Sequence, residues 1–141
     1  MITTFYSYKG GVGRSQLCAN IASYLCHRKD KKILLMDWDF EAPGLHYFFN
    51  KSNNDIGNEG TIELLESYTK MMRTVSDISE ENYTFYNSAS IIPLVQSGGQ
   101  GKIDLIPAGN YNDSYVFKIN NFDWYEFYEL LDGKVYIEAL K

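Results

Sequence analysis

Three glycines fall within four residues of the stretch SYKGGVGRSQ, residues 7–16, and this cluster limits the possible fold more than any other feature of the chain. Glycine reaches left-handed backbone conformations without penalty and leaves neighbouring amides unobstructed. The flanks give the cluster a direction. Residues 2–7, ITTFYS, alternate and are rich in β-branched and aromatic side chains, which predicts a strand. Residues 14–29, RSQLCANIASYLCHRK, carry Leu17, Ile21, Ala22 and Leu25 at helical spacing. A strand, a glycine turn and a helix in that order aim the first amides of the helix, and the positive end of its dipole, at the space above the turn. Such a space suits an anion. A bare turn between two elements is the plainer alternative.

The residues that close the turn favour the anion. Read against the phosphate-loop pattern G-x-x-x-x-G-K-[ST], residues 8–15 are YKGGVGRS, with Gly13, Arg14 and Ser15 at the end. Gly10, Gly11 and Gly13 would let amides from Gly10 through Gln16, Val12 included, converge on phosphate oxygens. Ser15 could place its hydroxyl on Mg²⁺. Arg14 keeps the positive charge of the usual lysine but as a planar fork able to grip phosphate bidentately.

A second run, KKILLMDWD at residues 31–39, is apolar and ends in carboxylates. It reads as a buried parallel strand with functional groups at its C-terminal end, joined to the first strand by a right-handed crossover. Along a strand, Asp37 and Asp39 share one face, and Trp38 turns the opposite way, towards a core. Two carboxylates beside a triphosphate make sense with a cation or a water between them.

With both motifs on the page, YKGGVGRS resembles the deviant Walker A motif of the ParA/MinD superfamily, K-G-G-x-G-K-[ST]. LLMDWDFEAPGLH resembles the same superfamily's hydrophobic strand ending D-x-D. Arg14 in the place of the motif's last lysine is similar to the KGGVGR-motif variant branch. The resemblance implies an α/β, three-layer P-loop NTPase fold with a mainly parallel sheet, of which residues 1–141 would be the N-terminal part. It implies ATP and Mg²⁺ as cofactors and ATP hydrolysis as the activity. It also implies a homodimer formed through the nucleotide face, whose state is read by a protein partner or a fused effector domain. On this resemblance Lys9 is the signature lysine that reaches across the dimer, Asp39 positions the attacking water, and Asp37 joins Ser15 around the metal. The turn Pro107, Ala108, Gly109 would lie near the nucleotide.

Two other readings stand beside the ATPase switch. The spacing from Asp37 through Asp39 to Pro43 is similar to the DxD-x-x-x-P layout of bacterial tyrosine kinases, which implies phosphoryl transfer to tyrosine. The chain's 12 tyrosines are spread out, with no terminal cluster. A non-hydrolysing nucleotide sensor or scaffold is the third reading.

Composition narrows the remaining classes. A net charge of -5 disfavours general nucleic-acid binding. No apolar run is long enough to span a bilayer, and the N-terminus lacks the pattern of a signal peptide. Cys18 and Cys26, about 12 Å apart on the expected helix, are too distant for a disulfide and read as buried thiols of a cytoplasmic protein. His27 near the helix end and His46 after the carboxylates have no ligand-spaced partners and read as structural.

Further along, GTIELLESYTKMMRTV predicts a helix with Thr61 as its cap and Glu63 in its first turn. Residues 76–90 read as an acidic connector. SIIPLV and KIDLIPAG, at 90–95 and 102–109, are either adjacent strands or a short helix and a strand. FDWYEFYELLDG predicts a helix stopped by Gly133, with Trp124 and its aromatic neighbours docking it, and KVYIEALK predicts the start of another.

Overall fold

A computed structural model describes residues 1–57, 59–74 and 90–139. Helix α1 spans Arg14–Lys29, strand β1 Lys32–Met36, helix α2 Thr61–Thr74, strand β2 Ile92–Gln96 and strand β3 Lys102–Ile106. Helix α3 spans Tyr115–Asn121, a π-helical segment Glu126–Leu130, and helix α4 Gly133–Ala139. A 3₁₀ turn, Leu45–Phe49, follows the carboxylates.

The sheet is small and mixed, in the order β1-β3-β2. β1 runs parallel to β3, with Leu34 opposite Asp104 and Met36 opposite Ile106. β2 runs antiparallel to β3, with an irregularity between Pro93 and Val95. This overturns the expected three-layer P-loop NTPase fold with its mainly parallel sheet. Among the described residues one parallel and one antiparallel pairing make up the sheet. The expected parallel relation of residues 31–39 to another strand does hold, but that strand is β3.

The first strand is the second correction. Residues 2–7 form no strand. Alternation signals a strand only where a neighbour supplies a ladder and a core takes one face. Here Ile2 and Tyr6 are exposed, and only Phe5 and Ser7 are half-buried.

Two apolar clusters hold the chain together. One lies between α1 and the sheet, where Ala19, Ala22 and Cys26 meet Leu35, Ile103 and Leu105, with Leu45 beside them. The helix therefore turns small residues inward, and Leu17, Ile21 and Tyr24 stay exposed. Small side chains let the helix approach the strands closely. The other cluster gathers Leu64, Leu65 and Tyr68 of α2, Ile106 and Ala108 after β3, and Phe127 and Tyr136 from the C-terminal elements.

Asp30 is the joint between α1 and the β2–β3 hairpin. It ends the helix in the left-handed region (φ 52°, ψ 38°). Its carboxylate accepts the amide of Gly101 (2.7 Å) and the hydroxyl of Ser97 (3.2 Å). The hairpin confirms the adjacent-strand alternative for residues 90–109.

Helix α2 begins where expected, but its cap differs. The Glu63 carboxylate accepts the amide of Gly60 (2.8 Å), and the Thr61 hydroxyl donates instead to the carbonyl of Pro107 (3.1 Å). Gly133 does not stop the preceding helix. Asp132, left-handed at φ 49°, makes the turn, and Gly133 opens α4. The connector expected at 76–90 lies outside the described residues, except for Ser90.

Candidate functional site

The glycine loop ends where α1 begins, as its sequence requires. Gly11 (φ 73°) and Gly13 (φ 80°) both occupy the left-handed region, which other residues enter only with strain. Apart from the adjoining residues, no heavy atom lies within 4 Å of where a Cβ would stand on Gly10, Gly11 or Gly13, so the loop is open above its backbone. Gly13 is the N-cap residue and supplies no side-chain cap, and the first turn of α1 has no acidic residue. The amide of Leu17 reaches the carbonyl of Gly13 (2.9 Å), closing the first helical bond. Helix geometry leaves the amides of Arg14, Ser15 and Gln16 with no intrahelical acceptor. Lys9, Gly10, Gly11, Val12 and Gln16 are exposed, whereas Arg14 and Ser15 are half-buried. A shallow depression of about 480 Å³ runs beside the loop, lined by Phe5, Tyr6 and Ser7 on one side and Arg14, Gln16 and Leu17 on the other.

The structure brings the two sequence motifs together through one contact. The guanidinium of Arg14 donates from Nη2 to Oδ2 of Asp39 in an ion pair. Its Nη1 lies 3.4 Å from the hydroxyl of Ser7, which itself donates to the carbonyl of Lys9 (3.0 Å). Ser7 was not among the expected site residues. Its signal was a serine three residues before Gly10, where a short hydroxyl side chain can bond nearby backbone.

Asp37 and Asp39 do not act as an in-strand pair, because β1 ends at Met36. The amide of Asp37 extends the ladder by one bond, to the carbonyl of Ile106 (3.0 Å), and the chain then turns. The Asp37 carboxylate is buried and faces inward. It accepts amides from Asp39 (3.0 Å), Leu45 (3.3 Å) and Gly44 (3.4 Å), and so shapes the segment that presents Asp39. Burial pushes its pKa above the usual carboxylate value; the three amides oppose that shift and the nearby Asp39 charge adds to it. Burial, reinforced by the Asp37 charge, raises the hydroxyls of Tyr111 and Tyr115 as well. Tyr115 donates to the carbonyl of Phe40 (3.1 Å), fixing the chain just past Asp39.

The remaining sequence candidates are placed by packing. His46 is buried, with Nε2 2.9 Å from Oδ1 of Asn53 and its ring against Tyr47. His27 is exposed in the last turn of α1, where a cation suits the helix dipole. Trp38 packs on Phe40 and Tyr136, as a core residue would. Pro107, Ala108 and Gly109 are buried, and the carbonyls of Pro107 and Ala108 accept the first amides of α2. Cys18 and Cys26 are both free thiols. Among the described residues, no three His, Cys, Asp or Glu side chains gather as a metal site. Among the same residues, no helix is long and apolar enough to cross a membrane.

No protein-family model matches the chain. No solved structure matches it either. The chain is similar to a protein of Borreliella burgdorferi described as "Uncharacterized protein BBD21", with 33% identity over 94 residues. The aligned part covers 67% of this chain and 34% of that protein, so the chain spans about a third of the length of the relative it matches.

Proposed function

We propose that the glycine loop and the start of α1 bind the phosphates of a nucleoside triphosphate, read as Mg·ATP. In this reading the chain serves as a nucleotide-dependent dimer switch of the kind its deviant Walker A loop resembles. The supporting observation is local and independent of the sheet. A left-handed glycine, with no side-chain cap and no acidic residue in the first turn, opens a 16-residue helix whose first side chain is Arg14. That arrangement supplies free amides, a positive dipole end and a guanidinium to one polyanion.

The residues present fit such a ligand. A Cβ would meet nothing over the three glycines, so phosphate can approach the backbone closely. Ser15, half-buried in the first turn, would offer its hydroxyl to a phosphate-bound Mg²⁺, whereas Asp37, its carboxylate turned to the amides of Asp39, Gly44 and Leu45, would act only by holding the segment that carries Asp39. Mg²⁺ keeps several waters and shares phosphate oxygens, so it needs no dedicated cage of three acids. When bound, the metal would neutralise charge on the phosphates. Lys9 is exposed at the front of the loop, free to meet a second subunit. Asp39 stands beside Arg14, where a carboxylate could orient water.

Calorimetric titration with Mg·ATP tests the proposal, together with Arg14→Ala and Gly13→Val. Binding to the unaltered chain and its loss in both variants is expected. An unaltered chain that takes up no ATP at millimolar concentration overturns it. Phosphate release, measured alongside, separates a hydrolysing switch from a sensor that only binds.

A further inference from the structure

We infer that Arg14 and Asp39 form a latch on the phosphate site: an arriving polyanion must take the guanidinium from Asp39, and only then is the Asp39 carboxylate released. The inference rests on the phosphate-site reading and specifies how that site is regulated. Three observations carry it. First, both ends of the Arg14 fork already have protein acceptors, Asp39 at Nη2 and Ser7 at Nη1. Second, the two paired side chains remain 29% and 28% exposed, so a ligand can reach the pair from solvent. Third, Asp39 sits on a built support. Its own amide is held by Asp37, its Oδ1 accepts the amide of Ala42 (3.3 Å), and Tyr115 fixes the next residue through the carbonyl of Phe40. Asp39 therefore keeps its place when Arg14 leaves.

The exchange is physically favourable in one direction. A carboxylate offers a guanidinium one charge, and a terminal phosphate offers more charge and a matching bidentate edge. In the latched state the ligand meets a site whose main cation is occupied. Apparent affinity is reduced by the fraction of molecules in which the pair is open. A partly exposed ion pair holds that fraction down by about twofold to fivefold. The released carboxylate faces the phosphates only after they have arrived, so a cation or water would be recruited to Asp39 second and not first.

The test uses the full chain, inorganic tripolyphosphate without Mg²⁺, and Asp39→Asn. Binding is measured by calorimetry, and the Asp39 carboxylate is followed by its carbon NMR resonance. Free Arg14→Gln protein supplies the reference position for an unlatched Asp39. Tripolyphosphate should bind Asp39→Asn about twofold to fivefold more tightly than the unaltered chain. It should also move the Asp39 resonance of the unaltered chain to the reference position. Asp39→Ser serves as a second variant should the asparagine protein fold poorly. Equal affinities overturn the latch. Tighter binding with an unmoved Asp39 resonance also overturns it, since removal of a like charge would then suffice. Failure of the unaltered chain and both Asp39 variants to bind tripolyphosphate or ATP at all removes the phosphate site itself, a result distinct from the other two.

Discussion

Thr61 is docked on Pro107 by two hydrogen bonds, its amide at 2.8 Å and its hydroxyl at 3.1 Å, both to the same carbonyl. This pair joins the start of α2 to the turn after β3. The turn thus acts as acceptor for two helix-start amides, Thr61 and Ile62, that would otherwise be buried without partners. Thr61→Val keeps the shape and the amide bond but removes the hydroxyl donor. It should cost about 0.5–1.5 kcal/mol in urea unfolding. Gly60→Ala should cost more, about 1–3 kcal/mol, because its Cβ would stand 2.4 Å from the Pro107 carbonyl oxygen and 2.7 Å from Gly109 backbone. An unchanged midpoint for Gly60→Ala would show that the helix and turn are not in close contact.

The ion pair of Arg14 and Asp39 should matter for ligand and little for folding. Its partial exposure limits its worth to about 0–1 kcal/mol of stability. Arg14→Ala is expected to unfold within that margin of the unaltered chain and yet to lose nucleotide binding. A large drop in stability, measured by denaturant titration, would instead make Arg14 a structural residue.

Acid should loosen the joint between α1 and the hairpin. The amides of Gln100 and Gly101, with the Ser97 hydroxyl, hold the Asp30 carboxyl below its ordinary value of 3.8 against a smaller opposing effect of burial. The folded chain then binds fewer protons than the unfolded chain between the lowered and ordinary values. Its contribution is complete above the ordinary value and is lost as pH falls through the lowered one. Asp55, lowered by the amide and hydroxyl of Ser52, acts in the same sense. Asp37, raised by burial, acts oppositely: folding gains as pH falls from its raised value to the ordinary one. Thermal melts across the acid range should show a shallower acid limb in Asp30→Asn than in the unaltered chain. Parallel limbs would count against the joint.

The two thiols should be slow towards an aromatic disulfide reagent. Cys26 is completely buried against the sheet. Cys18 is half-buried, and burial first and the Asp37 charge second push its thiol above the usual value of 9.0. Few thiolates are therefore present at neutral pH. Both should react only at the rate of unfolding, rising sharply in denaturant. Immediate reaction of both in the native chain would show that α1 does not cover them.

Phe127→Ala should be among the most costly single changes. Its ring is fully buried and meets Tyr68, Phe122 and Tyr136 at centroid distances of 5.7 Å. Loss of the ring leaves a cavity and should cost about 3–5 kcal/mol, read from urea unfolding. A cost below about 1 kcal/mol, close to that of a surface change, would mean that the cluster is not packed.

The local order of elements was legible from residues 10 to 39. The glycine loop, the bounds of α1 and the strand leading to Asp37 all follow from backbone preference and short-range spacing, which act within a few residues. At 90–109 the apolar runs flanking SGGQG left two strands or a helix and a strand open, and pairing with β3 decided for strands. Residues 2–7 show the limit of that logic. Their alternation is real, but a strand exists only where another strand supplies hydrogen bonds, and no neighbour among the described residues does so. The inward face of α1 was equally hidden, because Leu17 and Ile21 are apolar and periodic, yet close approach to the sheet favours Ala19, Ala22 and Cys26. Helix α3 carried no strong local signal, and its place comes from Tyr115 packing beside Tyr111 and bonding to Phe40. The meeting of Arg14 with Asp39, 25 positions apart, could be named from sequence only as two motifs. Which carboxylate turns inward to the amides and which turns outward to the guanidinium was decided by the chain's turn after Met36. That turn depends on long-range bonds to β3 and to the 3₁₀ segment, and spacing along the chain does not encode them.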